Sequence, residues 1–347
     1  MPGSLSSRSR SAEALAGNVM LFFMTASAQS VLAADAARGR APDFFIVGHP
    51  KSGTSALYGM LRSHPQIHMP RKEPSYFVPE LLASTSRYAN GLQDYVALFA
   101  DAAPGQRIGE STTWYLWSAH AAARIAEVRP DARIVAILRE PASFLRSLHL
   151  QFLRSDVETE PDLARALALE PERAAGRRLP RNSTRPQLLR YSEHVRYVEQ
   201  LRRYHAVFAP EQVLVLIYED FRADNEGTVR QVLSFLGVDP RASLAQSAEV
   251  NAAAGVRSAK LGGAARALYM GRGPGAALAK GAVKAVTSQR LRHRALGLLH
   301  RSQAREAPPA DTELMRELQL RFRGEVEALS DYLDRDLVRF WKYDQSG

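Results

Sequence analysis

Between Asp43 and Leu57 the chain reads D-F-F-I-V-G-H-P-K-S-G-T-S-A-L, a run that few folds can hold. Phe44–Val47 is apolar at every position, the pattern of a strand buried on both faces. A glycine ends it, a lysine-bearing loop follows, and Ser55–Ser63 restarts as a helix with Leu57, Met60 and Leu61 on one side. Continuous apolar strands recur at Arg133–Leu138 and Gln212–Tyr218, with a shorter one around Arg107–Glu110. Helical periodicity lies between and after them at Asn90–Ala100, Ala119–Val128, the stretch from Pro141 to Arg154, Leu188–Phe208, Asn225–Leu236 and Asp311–Leu333. Strands of this kind alternating with helices predict an α/β fold, a parallel sheet sandwiched by helices in a single domain over residues 42–345.

The loop itself predicts an anion cradle. Backbone N–H groups of the loop and first helical turn point inward, the helix dipole favours negative charge, and Lys51 adds a full positive charge. Gly48 and Gly53 keep the glycine spacing of the phosphate loop G-x-x-x-x-G-K-[ST], but the lysine sits inside the loop and Thr54 takes its usual place. The bland alternative is a glycine-rich turn with no ligand. Strand, lysine, glycine and hydroxyls in phase favour phosphate or sulfate binding on a P-loop-type sheet.

Composition narrows the chemistry. The 347 residues include no cysteine, which removes disulfides, thiol nucleophiles and Cys-based metal sites, and the nine histidines lack metal-ligand spacing. No metal is expected. The formal charge of +10 is concentrated: residues 257–305 hold eleven Lys and Arg and no acid. That basic helical region favours anionic partners and leaves open a peripheral contact with an anionic membrane; the alternative is a solvated helix face. Zinc-finger, basic-zipper and RNA-recognition signatures are absent, so nucleic acid is not an expected partner. Residues 1–41 read as a flexible or signal-like extension. Ala14–Ala34 is uncharged, with a short apolar centre at Val19–Met24 and a signal-peptidase-like Ala26-Ser27-Ala28, but it is too polar for a clear membrane span. Residues 155–186, rich in Pro, Arg and Glu, read as a surface insertion and a substrate lid.

Several separate segments, in order across Pro42 to Asp344, resemble the sulfotransferases that use 3′-phosphoadenosine-5′-phosphosulfate (PAPS), in particular the glycosaminoglycan enzymes and their bacterial relatives. His49-Pro-Lys-Ser-Gly-Thr-Ser55 resembles the 5′-phosphosulfate loop, which implies donor binding by Lys51, Ser52, Gly53, Thr54 and Ser55. Arg139-Glu-Pro-Ala-Ser-Phe-Leu-Arg-Ser147 is similar to the 3′-phosphate segment, with Arg139 and Ser147 in the binding positions. Tyr191 falls where relatives place a tyrosine near that phosphate, and Arg257 in a loop that folds over the nucleotide. Arg71-Lys-Glu-Pro-Ser-Tyr-Phe77 resembles the motif that supplies a catalytic carboxylate, and Asp331–Trp341 the usual ending.

The resemblance implies sulfuryl transfer from PAPS to a hydroxyl or amine of a carbohydrate, glycolipid or natural product. Lys51 would neutralise the leaving 5′-phosphate and Glu73 would be the base. Glu110 is the reserve or an orienting partner; here the chain departs from the resemblance, with Ser111 where glycosaminoglycan enzymes often carry lysine. Glu73 also admits a plain surface pairing with Lys72. The rival readings are a P-loop kinase, which calls for lysine after Gly53 and a strand-end aspartate, and a non-catalytic anion- or membrane-binding protein. PAPS synthesis in the bacterial cytosol points to a cytoplasmic location, and the Ala, Arg and Leu usage to a GC-rich bacterial source. A small-molecule or glycan acceptor is implied without its identity, and the oligomeric state is left open.

Overall fold

The computed structural model describes residues 41–81, 91–181, 183–242, 254–256, 304–306 and 311–345. The first half of the chain runs β1 (Phe44–Ile46), α1 (Thr54–Arg62), β2 (Ile67–His68), α2 (Leu92–Val96), β3 (Arg107–Ser111), α3 (Ala121–Val128), β4 (Arg133–Leu138) and α4 (Pro141–Arg154). Two short helices, α5 (Leu163–Ala168) and α6 (Glu170–Ala174), precede α7 (Tyr197–His205), β5 (Val213–Ile217), α8 (Tyr218–Ala223) and α9 (Asn225–Leu236). A two-stranded antiparallel pair, β6 (Ala254–Val256) with β7 (Ala304–Glu306), is followed by α10 (Thr312–Leu333) and α11 (Leu337–Phe340).

The main sheet has five strands in the order β2-β3-β1-β4-β5, and all its pairs are parallel. Its residues divide by parity. Phe45, Ile134, Ala136 and Leu138 join the larger core, while Phe44, Ile46, Val135 and Ile137 face α1 and α9 through Leu57, Leu61, Val229 and Leu233. Helix α10 packs on α4 and α7 at the larger core, inserting Leu318, Phe322, Val326 and Leu329. Burial on both faces explains why these strands are apolar throughout.

The strand order fixes where a ligand can enter. From β1 the chain crosses toward β2 and β3, whereas from β4 it moves the other way to β5. The loops leaving the carboxyl ends of β1 and β4 therefore diverge between adjacent strands, which pair Ile46 with Val135. Open α/β sheets bind ligands at such a switch point.

Close approach at this point is enforced by Gly48. A Cβ there would lie 2.2 Å from Ile137 Cγ2 and 2.8 Å from the Ile137 carbonyl oxygen, which belongs to a central strand and cannot retreat. Gly48→Ala is expected to destabilise the fold by at least about 1–3 kcal/mol, the usual cost of overpacking. Thermal unfolding reads this out directly, and an unchanged midpoint would contradict the packing.

Two expectations change. The helix expected over Leu188–Phe208 is broken into 3₁₀ turns at Pro186–Leu189 and Tyr191–Val195 before α7 begins, because Gln200 donates its amide to the Glu193 and His194 carbonyls. Within the stretch 155–186, read as a surface insertion, residues 155–174 are rooted in the body, with a short helix at Leu163–Ala168. Leu163, Ala166 and Leu167 enter the larger core, and Arg173 donates both terminal nitrogens to Glu158 at 2.7 and 2.8 Å, with both side chains buried. The basic region 257–305 and the extension 1–40 lie outside the described residues, apart from the β7 backbone at its end.

Candidate active site

Three backbone outliers mark the switch point. Lys51, Glu73 and Ser75 adopt φ of 69°, 63° and 62°, a region unfavourable for residues with a Cβ. Strain of this kind persists where surrounding contacts over-determine it, and it clusters at functional sites. The contacts are visible: Arg139 Nη1 donates to the Lys51 carbonyl at 2.8 Å, Glu73 N to the Ser111 carbonyl at 2.9 Å, and Ser75 N to Thr112 Oγ1 at 3.2 Å.

The β1–α1 loop leaves the start of α1 uncapped. Gly53 takes the left-handed conformation at the N-cap of α1, at φ 87°, with no side-chain cap, and the first turn carries no acid. The turn closes only when Ala56 and Leu57 donate back to the Gly53 carbonyl, which leaves the Thr54 and Ser55 amides without an intrahelical acceptor. Ser52 Oγ is buried and, among the described residues, unpaired. Burial, then the charges of Arg154 and Arg139, lower the Lys51 pKa to about 8. Orphan amides, an orphan hydroxyl and a cation held among cations are what an incoming anion would satisfy.

His49 holds this loop from beneath. Gln200 uses its amide nitrogen on Glu193 and His194, so its oxygen accepts from His49 Nε2 at 2.7 Å. Burial, with His194 adding to it, pushes the His49 pKa down to about 3, so the ring is a neutral strut.

Arg139 leaves β4 beside the same loop. It stacks over the Tyr218 ring at 4.8 Å and donates from Nε to Ser143 Oγ at 3.0 Å. Ser143 and Ser147 stand one helical turn apart on one face of α4, and Arg139 meets that face at Ser143. The carboxyl-terminal ending braces this corner. Glu140 caps α4 through Ala142 N and Ser143 N and accepts from Tyr343 Oη at 2.5 Å. Trp341 Nε1 donates to Glu219 at 3.0 Å, and Arg335 grips Asp220 with both terminal nitrogens.

The two carboxylates differ sharply. Glu73 is exposed, 3.3 Å from Thr113 Oγ1 and 3.7 Å from Lys72 Nζ. Glu110 is buried on β3, accepting from Thr112 Oγ1 at 2.6 Å and from Tyr95 Oη. Burial raises its pKa to about 7 against those hydrogen bonds. Since Thr112 also accepts from Ser75 N, Glu110 supports the loop carrying Glu73 from below.

Lys51–Ser55, Arg139 and Ser143 thus come together, and Glu73 is linked to them through Lys72, which bonds Thr54 and Ser55. Tyr191 does not present itself to the cleft: it is buried, donating to Glu158 Oε2 at 3.1 Å beside the Arg173 pair. Arg257 lies outside the described residues. The sequence reading missed Lys72 as a site group. Its ammonium donates to Thr54 Oγ1 and Ser55 Oγ, each at 2.9 Å. The signal was its place beside Glu73, which suggested only a surface ion pair.

A five-stranded parallel sheet flanked by helices, with a glycine loop and an uncapped helix start at its switch point, defines the class as an α/β protein. The family model for the sulfotransferase domain matches residues 41–252, and the chain belongs to that family. It is 29% identical over 203 residues to human bifunctional heparan sulfate N-deacetylase/N-sulfotransferase 3, covering 58% of this chain and 23% of that protein. To mouse heparan sulfate glucosamine 3-O-sulfotransferase 3A1 it is 27% identical over 237 residues, 68% of this chain and 53% of that protein. The chain therefore spans at most about half the length of these relatives. Among solved structures, the sulfotransferase from Alicyclobacillus acidocaldarius superposes with a TM-score of 0.58 at 25% identity, covering 86% of this chain and 98% of that one. Among the described residues no helix is long and apolar enough to cross a membrane.

Proposed function

We propose that the protein transfers a sulfuryl group from PAPS to a hydroxyl or amine of a glycan acceptor. The observation that carries this reading is the cradle: uncapped helix-start amides, the buried Ser52 Oγ and the Lys51 ammonium with its lowered pKa are gathered in one loop. Lys51 and the amides of residues 52–55 hold the 5′-phosphosulfate. Arg139 gives up its bonds to Ser143 and to the loop carbonyl and, with Ser143 and Ser147, takes the 3′-phosphate.

Sulfuryl transfer, like phosphoryl transfer, rests on in-line positioning and charge neutralisation. Glu73 takes the acceptor proton as the acceptor oxygen or nitrogen bonds to sulfur. The bond between sulfur and the bridging oxygen breaks, its electron pair stays on the 5′-phosphate, and Lys51 stabilises that charge. Chain-derived cations supply the neutralisation, so no metal is assigned a role. A heparan-type acceptor is favoured because the relatives named above are heparan sulfate enzymes. A cytoplasmic location would give it access to PAPS.

Calorimetric titration with 3′-phosphoadenosine-5′-phosphate (PAP), the desulfated product, tests the donor site. Metal-independent binding near micromolar Kd is expected, tighter than that of ATP and lost in Arg139→Ala. Preference for Mg-ATP would replace this reading with a phosphotransferase.

A further inference from the structure

The group without a role is Lys72. It sits on the strained loop of Glu73 and Ser75, yet its ammonium reaches across to the first turn of α1, bonding two hydroxyls of a different segment. Its side chain is only 17% exposed, and the Glu73 carboxylate, 3.7 Å away, offsets part of the burial that lowers its pKa. A solvated surface lysine would not take this path.

Hydrogen-bond direction gives the contact its meaning. An ammonium only donates, so Thr54 Oγ1 and Ser55 Oγ must accept through their lone pairs. Each hydroxyl then keeps its own hydrogen to give, and among the described residues neither donates to another group. We propose that Lys72 is a positioning residue: by occupying the acceptor side of both hydroxyls it turns their O–H groups into donors for the 5′-phosphosulfate, and it locks the loop bearing Glu73 to the cradle. Donor binding and base placement are thereby joined through one side chain. This inference rests on the sulfotransferase reading and adds to it a group that the donor loop itself does not contain.

A double-mutant cycle tests it, read by calorimetry with PAP and with 3′-AMP, which lacks the 5′-phosphate. Lys72→Met should weaken PAP binding by about tenfold, in line with loss of charge-assisted bonds, and leave 3′-AMP binding unchanged. In a Thr54→Val/Ser55→Ala background the same substitution should cost about twofold or less, because the groups it acts through are gone. Thermal midpoints of all variants check the fold. Equal losses in both backgrounds, or equal losses for both ligands, would overturn the role of Lys72 while leaving the donor site standing. Failure of the wild-type protein to bind PAP would overturn both readings.

Discussion

Lys51→Ala is expected to reduce sulfuryl transfer by about a thousandfold, the upper range for deleting one preorganised donor at a developing oxyanion. The expectation follows from where the ammonium sits. It is inside the loop at a strained φ of 69°, its carbonyl is held by Arg139, and two arginines add to the burial that lowers its pKa to about 8. A cation under such pressure gains more from an anion than an exposed lysine would, because binding relieves repulsion and desolvation together. The sign of the pH dependence follows. Below about pH 8 the ammonium is charged and PAP affinity should be flat. Above it the empty site must take up a proton to bind, so affinity should fall by about tenfold per pH unit until the raised pKa of the complex is reached. Calorimetry in wild type between pH 7 and 9.5 should show this bend, and Lys51→Ala should remove it. A bend retained in the variant would assign the titration to another group.

The parts legible in the sequence are those whose physics is local. The β1 run, its glycine loop and the apolar β4 and β5 strands announce themselves because burial on both faces leaves no polar position to confuse the period. Helix α9 is found within its observed bounds because Asp224 caps it and Gly237 ends it in the left-handed conformation. Strand β2 escapes notice since two residues, Ile67 and His68, carry no period at all. The break before α7 is also illegible: it is made by Gln200 reaching back to carbonyls, a bond that competes with the helix and leaves no composition signal. Long-range ties are hidden for the same reason. Arg173 beside Glu158, Tyr343 beside Glu140 and Lys72 across from Thr54 are adjacent only after folding.

Those ties also give the carboxyl-terminal motif a physical meaning. Arg335, Trp341 and Tyr343 all reach acidic groups at the ends of β4 and β5. Glu140 and Glu219 are thereby fixed on either side of the corner that presents Arg139, and Glu140 N itself donates to Glu219 at 3.3 Å. The segments after α10 and α11 thus tie down the residues that follow β4 and β5.

Glu73→Gln is expected to lower kcat by about a hundred- to ten-thousandfold, the range for losing a general base. The amide keeps the shape and can still accept from Thr113, so the loop, pinned by Glu73 N on the Ser111 carbonyl, has no reason to move. PAP affinity and thermal midpoint should therefore stay within about twofold and about a degree of wild type, since the exposed side chain buries little. Glu110→Gln provides the contrast. Its carboxyl is buried under Tyr95 and Thr112 with a pKa raised to about 7, and it reaches the cleft only through the Thr112–Ser75 link. That variant should lose stability first and activity only modestly. Initial rates with labelled PAPS and heparan sulfate as acceptor, set beside unfolding curves, separate the two carboxylates. A large kcat loss in Glu110→Gln with a near-normal Glu73→Gln enzyme would reverse the assignment, making the buried carboxyl the proton acceptor and Glu73 a surface partner of Lys72.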